Sequence, residues 1–143
     1  MEIVCRAFIN SQGKTLLCKQ QTPFRDFWTL PGGSLEEGET LVDCIKRELC
    51  EELGTMFDVT QLMYIRELIY PLRHRIEFYF SIYLPKHENP ICLFNPCKEI
   101  GEINFFSNKE MQLISYKPDC LLELIQAIYE NSYTFPKYLG NVK

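Results

Sequence analysis

The chain has 143 residues, enough for one domain with a real core. Apolar residues make up 46% and charged residues 24%, a balance that excludes an intrinsically disordered chain. A net charge of -4 argues against nucleic acid as the main partner, because such proteins carry a basic footprint. An anionic small molecule stays open, since a metal ion can supply positive charge locally.

Met1 to Arg6 holds no basic region leading into a long apolar stretch, so no signal peptide is read there. No run approaches the ~20 apolar residues that cross a bilayer, and no membrane partner is expected. Seven cysteines (Cys5, Cys18, Cys44, Cys50, Cys92, Cys97, Cys120) include no C-x-x-C pair. They match neither a disulfide framework nor a common zinc site, and reduced thiols in a cytoplasm are the expectation.

Residues 2–9 and 15–20 read as strands joined by the polar turn Asn10-Ser11-Gln12-Gly13-Lys14. After a loop broken by Pro23, Phe27 to Leu30 is a short strand stopped by Pro31-Gly32-Gly33. A second loop runs through Gly38. A helix then begins near Thr40, which with Asp43 resembles a capping box. Leu41, Ile45, Leu49 and Leu53 recur every four residues as a buried stripe, and Gly54 closes the helix. Residues 59–70 and 75–84 read as strands around a Pro71-Leu72-Arg73-His74 turn, and 85–96 as a loop. Ile103 to Phe106 is a last short strand, followed by helical segments at 108–114 and 118–130 and a Pro/Gly-containing tail. With no repeat and no composition break, a single domain over 1–143 is expected. The fold class is α/β, a mixed sheet with helices on its faces.

Seven of the nineteen carboxylates lie between Gly32 and Thr55. Glu48, Glu51 and Glu52 stand at i, i+3 and i+4, which a helix gathers on one side within an arc of about 100°. Their mutual repulsion and their position near the helix C-terminus both cost stability. On charge pattern alone such a face is a solvated acidic surface. Two features favour a divalent cation instead. Arg47, four residues before Glu51, can orient a carboxylate, and Pro31-Gly32-Gly33 with Gly38 lets backbone approach an ion or phosphate closely. Magnesium takes oxygen ligands and keeps positions open for substrate phosphates.

Gly33, five residues, Glu39, seven residues, then Arg47-Glu48-Leu49-Cys50-Glu51-Glu52-Leu53-Gly54-Thr55 resembles the Nudix box, G-x5-E-x7-R-E-U-x-E-E-x-G-U with U aliphatic. All seven fixed positions match, which average composition would produce about once in 10^8 starting points. Thr55 departs from the final aliphatic place. Trp28-Thr29-Leu30-Pro31-Gly32 resembles the family's lead-in, and Glu99 with Phe105-Phe106 its later acidic loop and strand.

The resemblance implies the Nudix fold, an α/β/α sandwich, and hydrolysis of a phosphoanhydride bond in a nucleoside diphosphate derivative. It also implies magnesium or manganese held by Glu48, Glu51, Glu52 and the Gly32 carbonyl. By the same resemblance Arg47 steadies the carboxylates, and Glu39, beside Gly33, supports the loop or an outer metal shell. Glu48 and Glu99 are both candidates for the general base, since families of this type place it differently.

Outside the box, Arg73 and Arg75 flank His74 where a phosphate or base edge would lie, although a solvated basic turn has the same composition. His74 itself reads as a surface residue. Arg6 shares a strand face with Val4 and Phe8 and could look into the cleft. Side chains of Phe78-Tyr79-Phe80 alternate faces; core packing is the plainer reading of the trio, and Tyr79 is the member that would line a base pocket. The substrate expected is a nucleoside triphosphate, including oxidised or non-standard ones, taken by a monomer or homodimer. ADP-ribose or a nucleotide sugar is the alternative within the family, and a non-catalytic nucleotide-binding module the alternative of another class.

Overall fold

The structure is a computed structural model and describes residues 1–84, 102–130 and 134–143. Among the described residues, eight strands pair into one mixed sheet. They are β1 (Glu2–Ser11), β2 (Lys14–Gln21), β3 (Asp26–Thr29), β4 (Gly32–Ser34), β5 (Asp58–Tyr70), β6 (Arg73–Tyr83), β7 (Ile103–Ser107) and β8 (Lys137–Asn141). The order is β3-β2-β1-β6-β5-β8, with β4 paired to β1 and β7 to β2. β1 and β6 run parallel over eight residue pairs, from Glu2 opposite Arg75 to Ile9 opposite Ile82. The helices are α1 (Leu41–Leu53), α2 (Asn108–Met111) and α3 (Leu121–Glu130).

Two apolar layers make this a sandwich. On one face Cys5, Ala7, Ile9 and Phe80 pack on Cys44, Ile45, Leu49 and Leu53 of α1. On the other, Phe8, Tyr64 and Tyr79 pack on Leu121, Leu124 and Ile125 of α3. The period of two along β1 sends Ala7 and Phe8 to opposite faces, so one strand serves both layers.

Arg73 and His74 belong to β6 rather than to the turn, α3 begins at Leu121 rather than at 118, and three larger differences from the expectations stand beside these shifts. Gly32–Ser34 does not merely stop a strand but forms one, antiparallel to β1, with Gly32 opposite Arg6. A Cβ on Gly32, whose φ is +142°, would lie 1.9 Å from the Cys5 carbonyl oxygen, so only glycine permits this approach. The helical segment at 108–114 is shorter, ending at Met111, although Ser107 and Glu110 form a full capping box. The tail holds an unforeseen strand, β8, parallel to β5, with an irregularity at Gly140 (φ +80°). Pro136 and Gly140 hid its alternation, and pairing at a sheet edge tolerates both.

Candidate active site

Helix α1 is capped at both ends. Thr40 accepts from the Asp43 N–H at 3.1 Å, and Gly54, left-handed, donates its N–H to the Cys50 carbonyl at 2.8 Å. The apolar stripe buries Ile45, Leu49 and Leu53 completely, and that rotation also buries two carboxylates. Glu48 is 5% exposed and Glu52 9%. Glu51, one step around the helix, keeps 41% of its side chain in solvent.

Each buried carboxylate meets the glycine strand. The Gly32 N–H donates to Glu52 Oε2 at 3.1 Å. A Cβ on Gly33 would lie 2.3 Å from the Glu48 carboxyl carbon, so the missing side chain is the cradle in which Glu48 rests. Arg47 binds the set together. Its guanidinium donates to Glu48 Oε1 at 2.9 Å, to Glu51 at 3.4 Å, to Glu39 Oε2 at 3.1 Å and to the Ser34 carbonyl at 3.0 Å. Glu39 also accepts the Glu36 N–H at 3.0 Å, so loop 34–39 is tied to the helix through one side chain. The Arg47 hydrogen bond holds the Glu39 carboxyl below the usual carboxylate range.

Among the described residues the carboxylates do not close into a cage of three or more ligands. Magnesium does not demand one, because it keeps several waters and needs only one or two carboxylates. The donors are all oxygen, and four carboxylates surround the single cation Arg47: Glu36, Glu39, Glu48 and Glu51. The glycine cradle and this excess of negative charge fit a hard divalent ion.

Beyond β4 the surface changes sign. A cleft of about 490 Å³ opens over β1, β3, β5 and β6. Among the described residues, seven cationic side chains line it (Arg6, Arg25, Arg66, Arg73, Arg75, Lys117 and Lys143) with one carboxylate, Glu77. Phe27, Leu68 and Tyr70 add apolar wall. Arg6 joins the two regions. It stands opposite Gly32 in the β1–β4 register and donates to the Leu30 carbonyl at 3.2 Å. Buried Cys18 senses both sides: desolvation and Glu52 push its thiol up to about 12, and Arg6 opposes them.

The cleft floor is a charged ladder. Glu77, 3% exposed, accepts from Arg66 at 3.1 Å, from Arg75 at 3.4 Å and from the Tyr79 hydroxyl. Burial would raise the Glu77 carboxyl, but Arg6, Arg66 and the Tyr79 hydrogen bond outweigh it and hold it low. Glu2 accepts from Arg73 at 2.8 Å and Arg75 at 3.0 Å. Burial would raise it too, and the two arginines lower it to about 2.

Of the residues expected to meet substrate, Arg73, Arg75 and Arg6 line the cleft. Tyr79 requires correction: it is fully buried in the core on α3's side and holds Glu77 from behind. An apolar ring on that face packs, and its hydroxyl takes the nearest buried acceptor. His74 sits away from the cleft, 3.0 Å from Glu67. Glu99 lies outside the described residues. Sequence reasoning missed Arg66 and Glu77, which are register partners across β5 and β6. Their signal was a charge inside each of two apolar strands, an anomaly whose partner only the pairing reveals.

An acidic helix face beside a cationic cleft, on a mixed sheet covered on both sides, is the architecture of a phosphate-handling α/β protein. A family model described as the NUDIX domain matches residues 2–126, and the chain belongs to the Nudix family. It is 41% identical over 61 residues to the nucleoside triphosphatase NudI of Enterobacter sp. (strain 638), an alignment covering 41% of this chain and 43% of that protein. It is 33% identical over 66 residues to the mouse 8-oxo-dGDP phosphatase NUDT18, covering 46% of this chain and 20% of that one. The chain thus spans less than half the length of these curated relatives. In fold it is similar to the crystal structure of a Nudix hydrolase from Nitrosomonas europaea, with TM-score 0.73 and 24% identity over 98% of this chain and 79% of that one.

Proposed function

We propose that the chain is a divalent-metal-dependent hydrolase of a phosphoanhydride bond in a nucleoside triphosphate, releasing a nucleoside monophosphate and pyrophosphate. The observation that carries this is the pair of buried carboxylates, Glu48 and Glu52, set against Gly33 and the Gly32 N–H, with Gly32 in register with Arg6, a residue of the cationic cleft. Glu48, Glu51, Glu52 and the Gly32 carbonyl would hold the ion. Magnesium or manganese bound there supplies charge neutralisation on the diphosphate oxygens and activation of water. Arg47 keeps three carboxylates from turning away from one another's field, and Glu39 fixes Arg47 to the loop. Arg6 stands where phosphate oxygens entering from the cleft first meet the glycine strand. Glu48 or Glu99 takes the proton of the attacking water.

The triphosphate reading draws on two supports, the cationic excess of the cleft and the similarity to a protein named a nucleoside triphosphatase. The ADP-ribose alternative finds none in Pro71, which occupies the β5–β6 turn and is explained by that turn. A non-catalytic module would not need the full set of box carboxylates, all of which stand here.

The test is a panel of nucleoside triphosphates, ADP-ribose, dinucleoside polyphosphates and nucleotide sugars, each with and without magnesium. Glu51→Gln and Glu52→Gln are expected to abolish metal-dependent turnover with the fold intact by circular dichroism. Undiminished turnover in both would remove the metal-site assignment. Of Glu48→Gln and Glu99→Gln, the variant that loses the acidic limb of the kcat profile identifies the base.

A further inference from the structure

Part of the sheet carries apolar side chains that serve neither apolar layer. On the α1 side Cys5, Ala7 and Ile9 of β1 are core, and alternation puts Ile3 on that same side. Ile3 pairs with Ile76 of β6, Ile76 with Glu67 of β5, and Ile65 of β5 with both Phe78 and Tyr138. Ile69, further along β5, stands opposite His74. Among the described residues, Ile3, Ile65, Ile69, Ile76 and Tyr138 join neither core cluster. Ile69 is 48% exposed, Tyr138 59%, and Met1, next to β1, 84%. The polar groups on this face are already answered. One Glu67 oxygen lies 3.0 Å from His74 Nε2 and the other accepts the Tyr138 hydroxyl, and Asn141 Oδ1 accepts the Ile69 N–H at 3.1 Å.

Area and charge say what covers such a face. Taking about 150–250 Å² for a large side chain, Met1, Ile69 and Tyr138 with the half-buried isoleucines expose roughly 500 Å² there. A standard interface takes about 800 Å² from each partner, roughly two-thirds of it apolar in homodimers, so the patch matches one partner's share. A two-fold interface sets one patch against the same patch of the copy, and that patch must complement itself. The cationic cleft and the carboxylate face of α1 each repel their own kind. The isoleucine face does not, which matters for a chain of net charge -4.

We propose that the face formed by Ile3, Ile65, Ile69, Ile76 and Tyr138 is a homodimer interface, covered by the same face of a second copy of this chain about a two-fold axis. Ile76 lies between Arg75 and Glu77 in β6, and alternation turns those two into the cleft on the opposite side of the sheet. A copy seated on the isoleucines therefore leaves the cleft open. The inference stands apart from the hydrolase reading, since it rests on surface that the site does not use.

Light scattering coupled to gel filtration, in reducing buffer, reads the assembly directly. The wild type is expected at twice the 16.9 kDa chain mass. Ile69→Lys and Tyr138→Lys, which bury a charge in the interface, should each raise the dimer dissociation constant about tenfold or more. Leu113→Lys, at an exposed leucine just after α2, should leave it unchanged. Added sodium chloride should leave the wild-type dimer intact, where a contact between one copy's cleft and another's acidic helix would dissociate. Circular dichroism and thermal unfolding establish that each variant is folded; if one is not, the other decides. A wild-type monomer at concentrations up to about 100 µM overturns the proposal. So does a mass above two chains, dissociation by salt, or a Leu113→Lys that dissociates as the interface variants do. A folded Ile69→Lys or Tyr138→Lys that associates like the wild type overturns it as well.

Discussion

Gly33 shows how one absent side chain shapes a site. Its Cα approaches the Glu48 carboxylate so closely that even a methyl group would overlap all three carboxyl atoms. Glu48 would have to leave Arg47 or the helix would have to shift. Gly33→Ala is therefore expected to lower kcat by more than tenfold while α1 persists, a pairing that steady-state kinetics and circular dichroism report together. Tyr79 is the opposite case, a side chain whose polar tip serves another residue. With the ring fully buried and the hydroxyl on Glu77, Tyr79→Phe leaves a buried carboxylate short of one donor. The expected cost is about 1–3 kcal/mol in urea unfolding, with binding in the cleft weakened as Glu77 relaxes.

At the scale of elements, α1 is set by local rules and the β5–β6 hairpin breaks one. Thr40, Gly54 and the four-residue apolar repeat all agree on the helix, which is why its bounds match the expectation. The hairpin closes through Pro71 and Leu72, and Leu72 takes φ +64° with its side chain fully in solvent. A left-handed leucine costs about 1–2 kcal/mol, part of which glycine returns as unfolded-chain entropy. Leu72→Gly should therefore stabilise the protein by about 0.5–1 kcal/mol, measured by chemical denaturation. Equal or lower stability would mean the turn is not strained. The neighbouring Tyr70, Arg73 and Arg75 line the cleft, so this turn also sets one wall of the site.

Over the whole molecule, acid response follows from the ladder. Glu2 is held at about 2 against an ordinary 4.5, and Glu77 is also held low. A depressed carboxylate contributes stability that is fully present above 4.5 and is lost as pH falls toward 2. Thermal midpoints should fall steeply between pH 4.5 and 2.5, and Glu2→Gln should flatten part of that fall. An unchanged slope would show that Glu2 keeps its pairing in the unfolded chain or lacks it in the folded one. The same architecture explains the opposite polarities of the site. α1 gathers carboxylates along one face, and the interior strands β1, β5 and β6 gather arginines.

How far the sequence reaches is plain from where these residues lie. Glu39, Arg47, Glu48, Glu51 and Glu52 fall within a short contiguous stretch, and helical geometry alone brings four of them to one side. The mixed sheet with helices on both faces was equally legible, because apolar periodicity and turn residues are local signals. Strand pairing is not local. Arg6, Arg66 and Glu77 meet only because β1 and β5 both lie against β6, and no spacing in the chain encodes that register. Tyr79 reads from sequence as a substrate residue for the same reason: a strand's alternation tells that neighbours part, not which face is core. β4 and β8 stayed hidden because glycine and proline mask the strand pattern that pairing restores. The sequence alone thus determined the acidic helix and its family. Only tertiary structure decided the cationic cleft beside it, since long-range pairing is what collects its charges.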